Sequence, residues 1–169
     1  MIHYANLIGA LGYILVKELE DVEPIRPVLP FLRELGVEIP RDLERLRSEY
    51  ADIFIINIPP YESAFTSQAN RLWDAAAIEV WGHYKEAGFQ PDLAKARALA
   101  PDHVGLELLF LSILLERGLR DMADEFLSMH ILRWVPQLYA AVELNYPKSF
   151  YAKVLKAALD LSIEAYREL

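Results

Sequence analysis

The run VGLELLFLSILL at residues 104–115 decides the fold, because its apolar side chains cover every side of a helical cylinder. A helix that is apolar all round has to be enclosed by other segments, so we expect it in the centre of the protein. Pro101 precedes the run and Gly118 follows it, which predicts a helix over residues 102–117 that begins near the proline and ends at the glycine.

Amphipathic helices are predicted around this central run. Apolar residues recur three or four positions apart over most of the chain, which is the period of a helix. The predicted helices cover residues 2–16, 67–87, 121–133, 137–144 and 149–169. Gly88 is expected to end the second of these helices. Pro136 predicts a kink or break near residues 133–135, because a proline removes a backbone hydrogen bond from a helix.

The first half of the chain is less regular. Prolines divide it into short helices predicted around residues 31–35 and 41–50. Residues 53–58 have the β-branched composition of a strand, but a lone strand has no partner, so we assign them to the end of the preceding helix. Residues 2–16 are too short for a membrane span and lack the features of a signal peptide, so they are predicted to form a buried first helix. The whole chain, 1–169, is therefore predicted to be a single all-α helical bundle.

The charge balance and the residue counts exclude several classes of protein. With 17 Lys and Arg against 25 Asp and Glu, the net charge of −8 disfavours a nucleic-acid binder and favours basic partners. Hydrophobic residues make up 54% of the chain, which is enough for a core and excludes a disordered protein. The absence of cysteine removes disulfides, thiolate metal sites and a cysteine nucleophile, and makes the cytoplasm the expected compartment.

No motif that carries catalysis is present. The seven glycines form no phosphate-binding loop, and neither the Glu-x-x-His pairs of di-iron bundles nor the His-Glu-x-x-His of zinc proteases occur. The four histidines lie far apart in the sequence, so we predict no metal, no cofactor and no enzymatic activity. Asp102 and His103 form the one suggestive pair: they either complete the start of the central helix through hydrogen bonds or belong to a functional site.

Aromatic side chains and isolated carboxylates pose the same choice between structure and function. The rings concerned, which either fill the core or line a groove for a peptide, are Tyr61, Phe65, Trp73, Trp81, Tyr84 and Trp134. Trp81 lies beside the apolar stripe of its predicted helix, so it is the ring expected at a groove edge. Glu62 and Glu107 adjoin apolar runs, where a carboxylate is solvated or paired more often than catalytic.

Several segments carry a resemblance to a known family when they are taken in order. They are Leu46-Arg47-Ser48-Glu49-Tyr50 with Ile53-Phe54, PYESAF at residues 60–65, residues 80–89 ending in Ala87-Gly88-Phe89, Pro101-Asp102-His103 before Glu107-Leu108, Phe126 with His130, Trp134 and Pro136, and Phe150-Tyr151 with Leu155. Together they resemble the molybdoenzyme maturation chaperones that serve TMAO, DMSO and nitrate reductases, the TorD, DmsD and NarJ types. The resemblance covers about residues 40–160. The junction of Pro101 with Asp102 is similar to the nitrate-reductase type and the turn at residues 61–63 to the TMAO and DMSO type, so the subfamily stays open.

This resemblance implies an all-helical cytoplasmic chaperone that binds the apo catalytic subunit of a molybdopterin-dependent oxidoreductase. It also implies that the protein holds this client for cofactor insertion and assembly before export, and recognises its twin-arginine signal peptide. The residues expected to bind the client are Tyr61, Glu62, Ser63, Phe65, Trp81, Tyr84, Asp102, His103 and Glu107. The apolar part of the client is expected to lie on the rings, while Glu62 or Asp102 meets the basic end of the peptide.

Two other functions stay open from the residues alone. A helical small-molecule-binding or regulatory domain without catalysis would use the same rings to line a ligand pocket. An enzyme would use Asp102, His103 and Glu107 as acid–base groups, and bound metal or turnover would reveal it. Long helices joined at prolines allow either a monomer or a domain-swapped dimer.

Overall fold

The computed structural model describes residues 2–69 and 71–169, apart from the side chain of Ile2. The described helices are α1 (Ile2–Val16), α2 (Leu29–Glu34), α3 (Leu43–Tyr50), α4 (Glu62–Thr66), α5 (Ala75–Glu86), α6 (Leu93–Ala96), α7 (Val104–Glu116), α8 (Arg120–Phe126), α9 (Leu132–Asn145) and α10 (Phe150–Glu168). A 3₁₀ turn covers Glu23–Val28, and wide π-type turns follow α3 at Ala51–Asn57 and α8 at Leu127–Ile131. The all-α class predicted from the sequence is confirmed. Met1, part of the predicted domain, and Asn70, part of the predicted helix at 67–87, lie outside the described residues.

Helix α7 lies in the centre of the core, as the apolar run predicts. Its most extensive contact is with α1, which confirms the buried first helix. The two backbones touch, because a Cβ on Gly105 would lie only 2.4 Å from the Cα of Val16, and one on Gly12 only 2.9 Å from the carbonyl oxygen of Gly105. Glycine is therefore required at both positions. The amphipathic α10, which begins at the N-cap Ser149, packs against α1 and α9.

The helix predicted over residues 67–87 is wrong in its first third, because the structure begins it only at Ala75. Among the described residues of 67–74, Trp73 adopts a left-handed conformation with φ of 58°. Its indole N–H donates to the carbonyl of Leu99 at 2.7 Å. Asp74 precedes the helix in an extended conformation and accepts the hydroxyl of Ser67. The hydrogen bond of Trp73 with Leu99 and that of Ser67 with Asp74 thus occur where helix was predicted, while Gly88 ends α5 with a positive φ of 71°, as predicted.

The break predicted near residues 133–135 is also misplaced. Pro136 lies inside α9, and the irregularity falls one turn earlier, in the wide turn Leu127–Ile131. The helix continues through Pro136, so the proline does not end it here, although it removes one backbone donor from the helix. Residues 53–58 are confirmed as the continuation of the preceding helix, since the helical path runs on from α3 to Asn57.

None of the described helices combines the length and the apolar character needed to cross a membrane.

Candidate functional site

An open apolar groove of about 380 Å³ lies where α1, the turn after α3 and the start of α7 meet. Its lining includes the rings of Tyr50, Phe54, Tyr61 and His103. Ile55 and Leu99 also line it, with 64% and 68% of their surface exposed, so the groove joins two exposed aliphatic side chains to its aromatic lining. The charged lining residues are Lys17, Glu18 and Arg97. We call this feature the Tyr61 groove.

One wall of the groove is held by backbone hydrogen bonds between two loops. Tyr61 and His103 form an isolated antiparallel bridge, in which the N–H of Val104 donates to Pro60 at 2.9 Å and the N–H of Glu62 donates to Asp102 at 3.0 Å. The ring of Tyr61 meets the imidazole of His103 edge to face, with centroids 5.0 Å apart. These contacts fix two ring faces towards the groove.

His103 is the N-cap of α7, and it is a neutral imidazole. Its Nδ1 accepts the backbone N–H of Gly105 at 3.0 Å, so the ring hydrogen lies on Nε2, 3.4 Å from the hydroxyl oxygen of Tyr50. Burial lowers the pKa of His103 to about 3. The hydroxyl of Tyr50 donates to the carbonyl of Leu15 at 2.9 Å, which ties this wall to the end of α1.

Asp102 is fully buried, and its side chain forms a hydrogen bond at the start of α4 rather than at the start of α7. Its Oδ2 accepts the backbone N–H of Ser63, at the start of α4, at 2.7 Å. Burial raises the pKa of Asp102, although the hydrogen bonds from Ser63 oppose this change. The helix predicted from residue 102 therefore begins two residues later, at Val104 after the His103 cap. Both Asp102 and His103 form hydrogen bonds at a helix start, which is the structural role that the sequence offered for them.

Several further polar side chains are buried behind this wall. Oε2 of Glu62 is 2.8 Å from Nδ1 of His130, and the indole N–H of Trp134 donates to Oε2 of Glu107 at 2.9 Å. All four side chains are buried. Burial raises the pKa of Glu107 far above its usual range, and the nearby carboxylates of Glu62 and Asp102 raise it further. Its neutral form is therefore favoured relative to that of a carboxyl group in water. We call Glu62, Asp102, Glu107, His130 and Trp134 the buried polar cluster.

The structure brings most of the predicted client-binding residues to one place, but few of them reach the groove. Tyr61 and His103 line it, whereas Glu62, Ser63, Asp102 and Glu107 are buried behind it. The role of these residues in client binding stays a prediction.

The other predicted rings lie around this wall. Tyr84 is also buried, and its hydroxyl donates to the carbonyl of Pro101 at 2.9 Å. Phe65 is half-buried against Trp134, with ring centroids 5.7 Å apart. Trp81 is half-buried outside the groove lining and contacts the exposed ring of Trp73, with centroids 6.4 Å apart.

Sequence reasoning missed the residues that give the groove its open, apolar character. Phe54 and Ile55 lie on the wide turn after α3, and the strand-like run at 53–58 was the only sign that this segment differs from an ordinary helix end. Leu99 approaches from a loop distant in sequence, where its backbone N–H donates to the hydroxyl of Tyr61 at 2.9 Å. Nothing local in the sequence marks that contact.

The ionisable side chains of the buried polar cluster are enclosed by the protein. The three carboxyl groups of this cluster and the imidazole of His130 lie behind the groove wall, out of contact with solvent. Across residues 2–69 and 71–169, no three Asp, Glu or His side chains converge in a way that would hold a metal ion. What the groove presents to a bound molecule is aromatic and aliphatic surface with a charged rim.

Comparison with known proteins places the chain in a family. No curated protein matches it. The family model described as nitrate reductase delta subunit matches residues 23–140, more than half of the chain. The matched region includes the residues from Tyr50 to Tyr61 and from Arg97 to His103 that line most of the groove. The chain therefore belongs to the nitrate reductase delta subunit family, a family of redox enzyme maturation chaperones.

Proposed function

We propose that this protein is a cytoplasmic chaperone that binds the apo catalytic subunit of a molybdopterin-dependent oxidoreductase through that subunit's twin-arginine leader peptide. It holds the client for cofactor insertion and assembly before export. The observation that carries the proposal is the Tyr61 groove, an open apolar surface on a member of a maturation chaperone family. The buried polar cluster supports the proposal by holding the groove wall in shape while taking no part in chemistry.

The exposed aliphatic residues supply the affinity for the apolar part of the client. Ile55 and Leu99 each keep about two-thirds of their surface in water. Covering both with an apolar peptide contributes roughly 2–4 kcal/mol, because full burial of such a side chain is worth about 1.5–3 kcal/mol. Beyond Leu99, the rings of Trp73 and Trp81 extend the apolar surface, so a longer client segment continues onto Trp81.

Long-range charge favours the same partner. The net charge of −8 attracts the basic end of a leader peptide and speeds the encounter at low salt. Within the groove, the hydrophobic part of the peptide then determines how long the complex lasts.

The test is a titration of the purified protein with its client's leader peptide, followed by fluorescence anisotropy. Ile55→Asp is expected to weaken binding about tenfold or more, since it places a charge on the groove edge. Ile78→Asp is the matched control, because Ile78 is 65% exposed on α5 and does not line the groove. Equal affinities for the two variants would exclude the groove as the binding site. Absence of binding to the unmodified protein would exclude the function itself.

A second candidate, a small-molecule-binding domain, is favoured by the volume of the groove. About 380 Å³ lies within the range of roughly 300–1,000 Å³ that is usual for such sites. A library of small metabolites in a thermal-shift assay distinguishes the two functions. A metabolite that raises Tm in the unmodified protein and in the Ile78→Asp control, but not in Ile55→Asp, would favour this candidate over the chaperone.

A further inference from the structure

An ion pair closes one end of the Tyr61 groove. The guanidinium of Arg97 lies 2.8 Å from Oε2 of Glu18 and 3.4 Å from Oε1 of Glu20. Two carboxylates at the end of α1 thus share one arginine that reaches them from a loop far along the chain. Glu18 is the more enclosed partner, with 19% of its side chain exposed, whereas 59% of the Arg97 side chain remains in water.

Glu18 is the only carboxylate among the described residues that line the groove. The two acidic residues that the sequence suggested for the basic end of a client are committed elsewhere, Glu62 to His130 and Asp102 to the backbone of Ser63. Both are buried behind the wall, so a cation in the groove has no access to them. Glu18, with Glu20 beside it, is left as the acidic group that a bound peptide reaches.

Within residues 2–69 and 71–169, the side-chain hydrogen bonds of Arg97 go to these two carboxylates, and the loop that carries it is anchored independently. The residue caps α6 in the left-handed conformation with φ of 52°, which disfavours any residue with a Cβ. Two residues on, the N–H of Leu99 donates to the hydroxyl of Tyr61, and its carbonyl accepts the indole N–H of Trp73. The Arg97 side chain is thus free to swing away while the loop stays in place.

We propose that Glu18 and Glu20 form the receptor for an arginine side chain of the client, and that Arg97 occupies this receptor until the client arrives. The inference rests on the proposed function and adds the chemistry of the recognised group. A guanidinium presents several N–H donors in one plane, so it satisfies two carboxylates at once, as Arg97 already demonstrates in this position. A lysine presents a single point charge and fits the pair less well.

The exchange is favourable because the two ion pairs differ in their exposure to water. Arg97 keeps 59% of its side chain in water and Glu20 keeps 48%, and water at an ion pair weakens the attraction between its charges. A client arginine arrives on a peptide that covers the groove, which removes water from the carboxylates and strengthens the same interaction. Lys17 also lines the groove, and its positive charge opposes binding of a cation by a similar amount before and after the exchange.

The experiment compares labelled leader-like peptides with two adjacent arginines, two lysines or two glutamines ahead of one leucine- and alanine-rich segment. Fluorescence anisotropy gives each Kd at low salt. The unmodified protein is expected to bind the arginine peptide about tenfold more tightly than the glutamine peptide, with the lysine peptide between them. The double variant Glu18→Gln/Glu20→Gln should bind all three with the affinity of the glutamine peptide.

Two further variants complete the test. Arg97→Ala is expected to bind the arginine peptide several-fold more tightly, because the receptor is then vacant. Glu44→Gln/Glu164→Gln changes the net charge equally at exposed pairs outside the groove lining, and should keep the preference for arginine.

A preference that survives in Glu18→Gln/Glu20→Gln, or weaker arginine binding in Arg97→Ala, would overturn the inference while leaving the groove intact. Failure of all three peptides to bind the unmodified protein would overturn the proposed function as well.

Discussion

The raised pKa of Glu107 predicts how the stability of the protein changes with pH. Its pKa lies well above the usual value of 4.5, because burial disfavours the charged form. The folded protein therefore holds a proton that the unfolded chain releases above pH 4.5. Stability from this group is fully present below that pH and is lost as pH rises towards the folded pKa, with a slope of up to about 1.4 kcal/mol per pH unit.

Replacing Glu107 with Gln removes this loss and keeps an oxygen for the indole N–H of Trp134. The free energy of unfolding of Glu107→Gln relative to the unmodified protein should therefore rise steadily as pH increases above 4.5. Urea unfolding at a series of pH values measures this difference. The matched control is Glu116→Gln, an exposed carboxylate at the end of the same helix. A constant difference between Glu107→Gln and the unmodified protein across the series would refute the buried protonated state.

Three further outcomes are expected. Burial lowers the pKa of His103 from 6.5 to about 3, so the folded protein loses stability as the pH falls between these values. His103→Asn keeps an N-cap but cannot be protonated, and urea unfolding should show that this variant loses less stability over the same range. Gly105→Ala should destabilise the protein by about 2–3 kcal/mol through a backbone clash, whereas Gly82→Ala, with open space around its Cβ, should stabilise it by about 0.5–1 kcal/mol; thermal unfolding of both tests this contrast. Leu99→Ala should weaken leader-peptide binding about fivefold, and more than Trp81→Ala does, because only Leu99 lines the groove; the reverse order in a titration would place the peptide on α5 instead.

The sequence predicted those helices and helix ends that depend on residues close together along the chain. The apolar run at 104–115 correctly predicted a central helix, and Gly88 and Gly118 correctly marked helix ends. The helix at 67–87 was extended too far because Trp73 satisfies its indole on Leu99, a partner that periodicity does not show. Pro136 led to a break being predicted near residues 133–135, whereas α9 continues through the proline and the wide turn lies before the helix.

The candidate site was predictable only in part. The family resemblance selected Tyr61 and His103, which do line the groove. It did not distinguish them from Glu62 and Asp102, because all four residues are buried and only the folded structure shows that Glu62 pairs with His130 and Asp102 with the backbone of Ser63 behind the groove. The contact between Glu18 and Arg97 joins residues far apart along the chain, and only the folded structure reveals it.

The wide turn at Ala51–Asn57 sets the direction in which the residues beyond it point. Its closing hydrogen bond runs from Ile58 back to Ile53, five residues rather than four. One additional residue per turn rotates everything beyond it by about 100° around the helix axis. That rotation determines which side chains near position 55 point outwards. Deletion of a single residue from this stretch is therefore expected to turn the Ile55 side chain away from the groove while the helices on either side are kept.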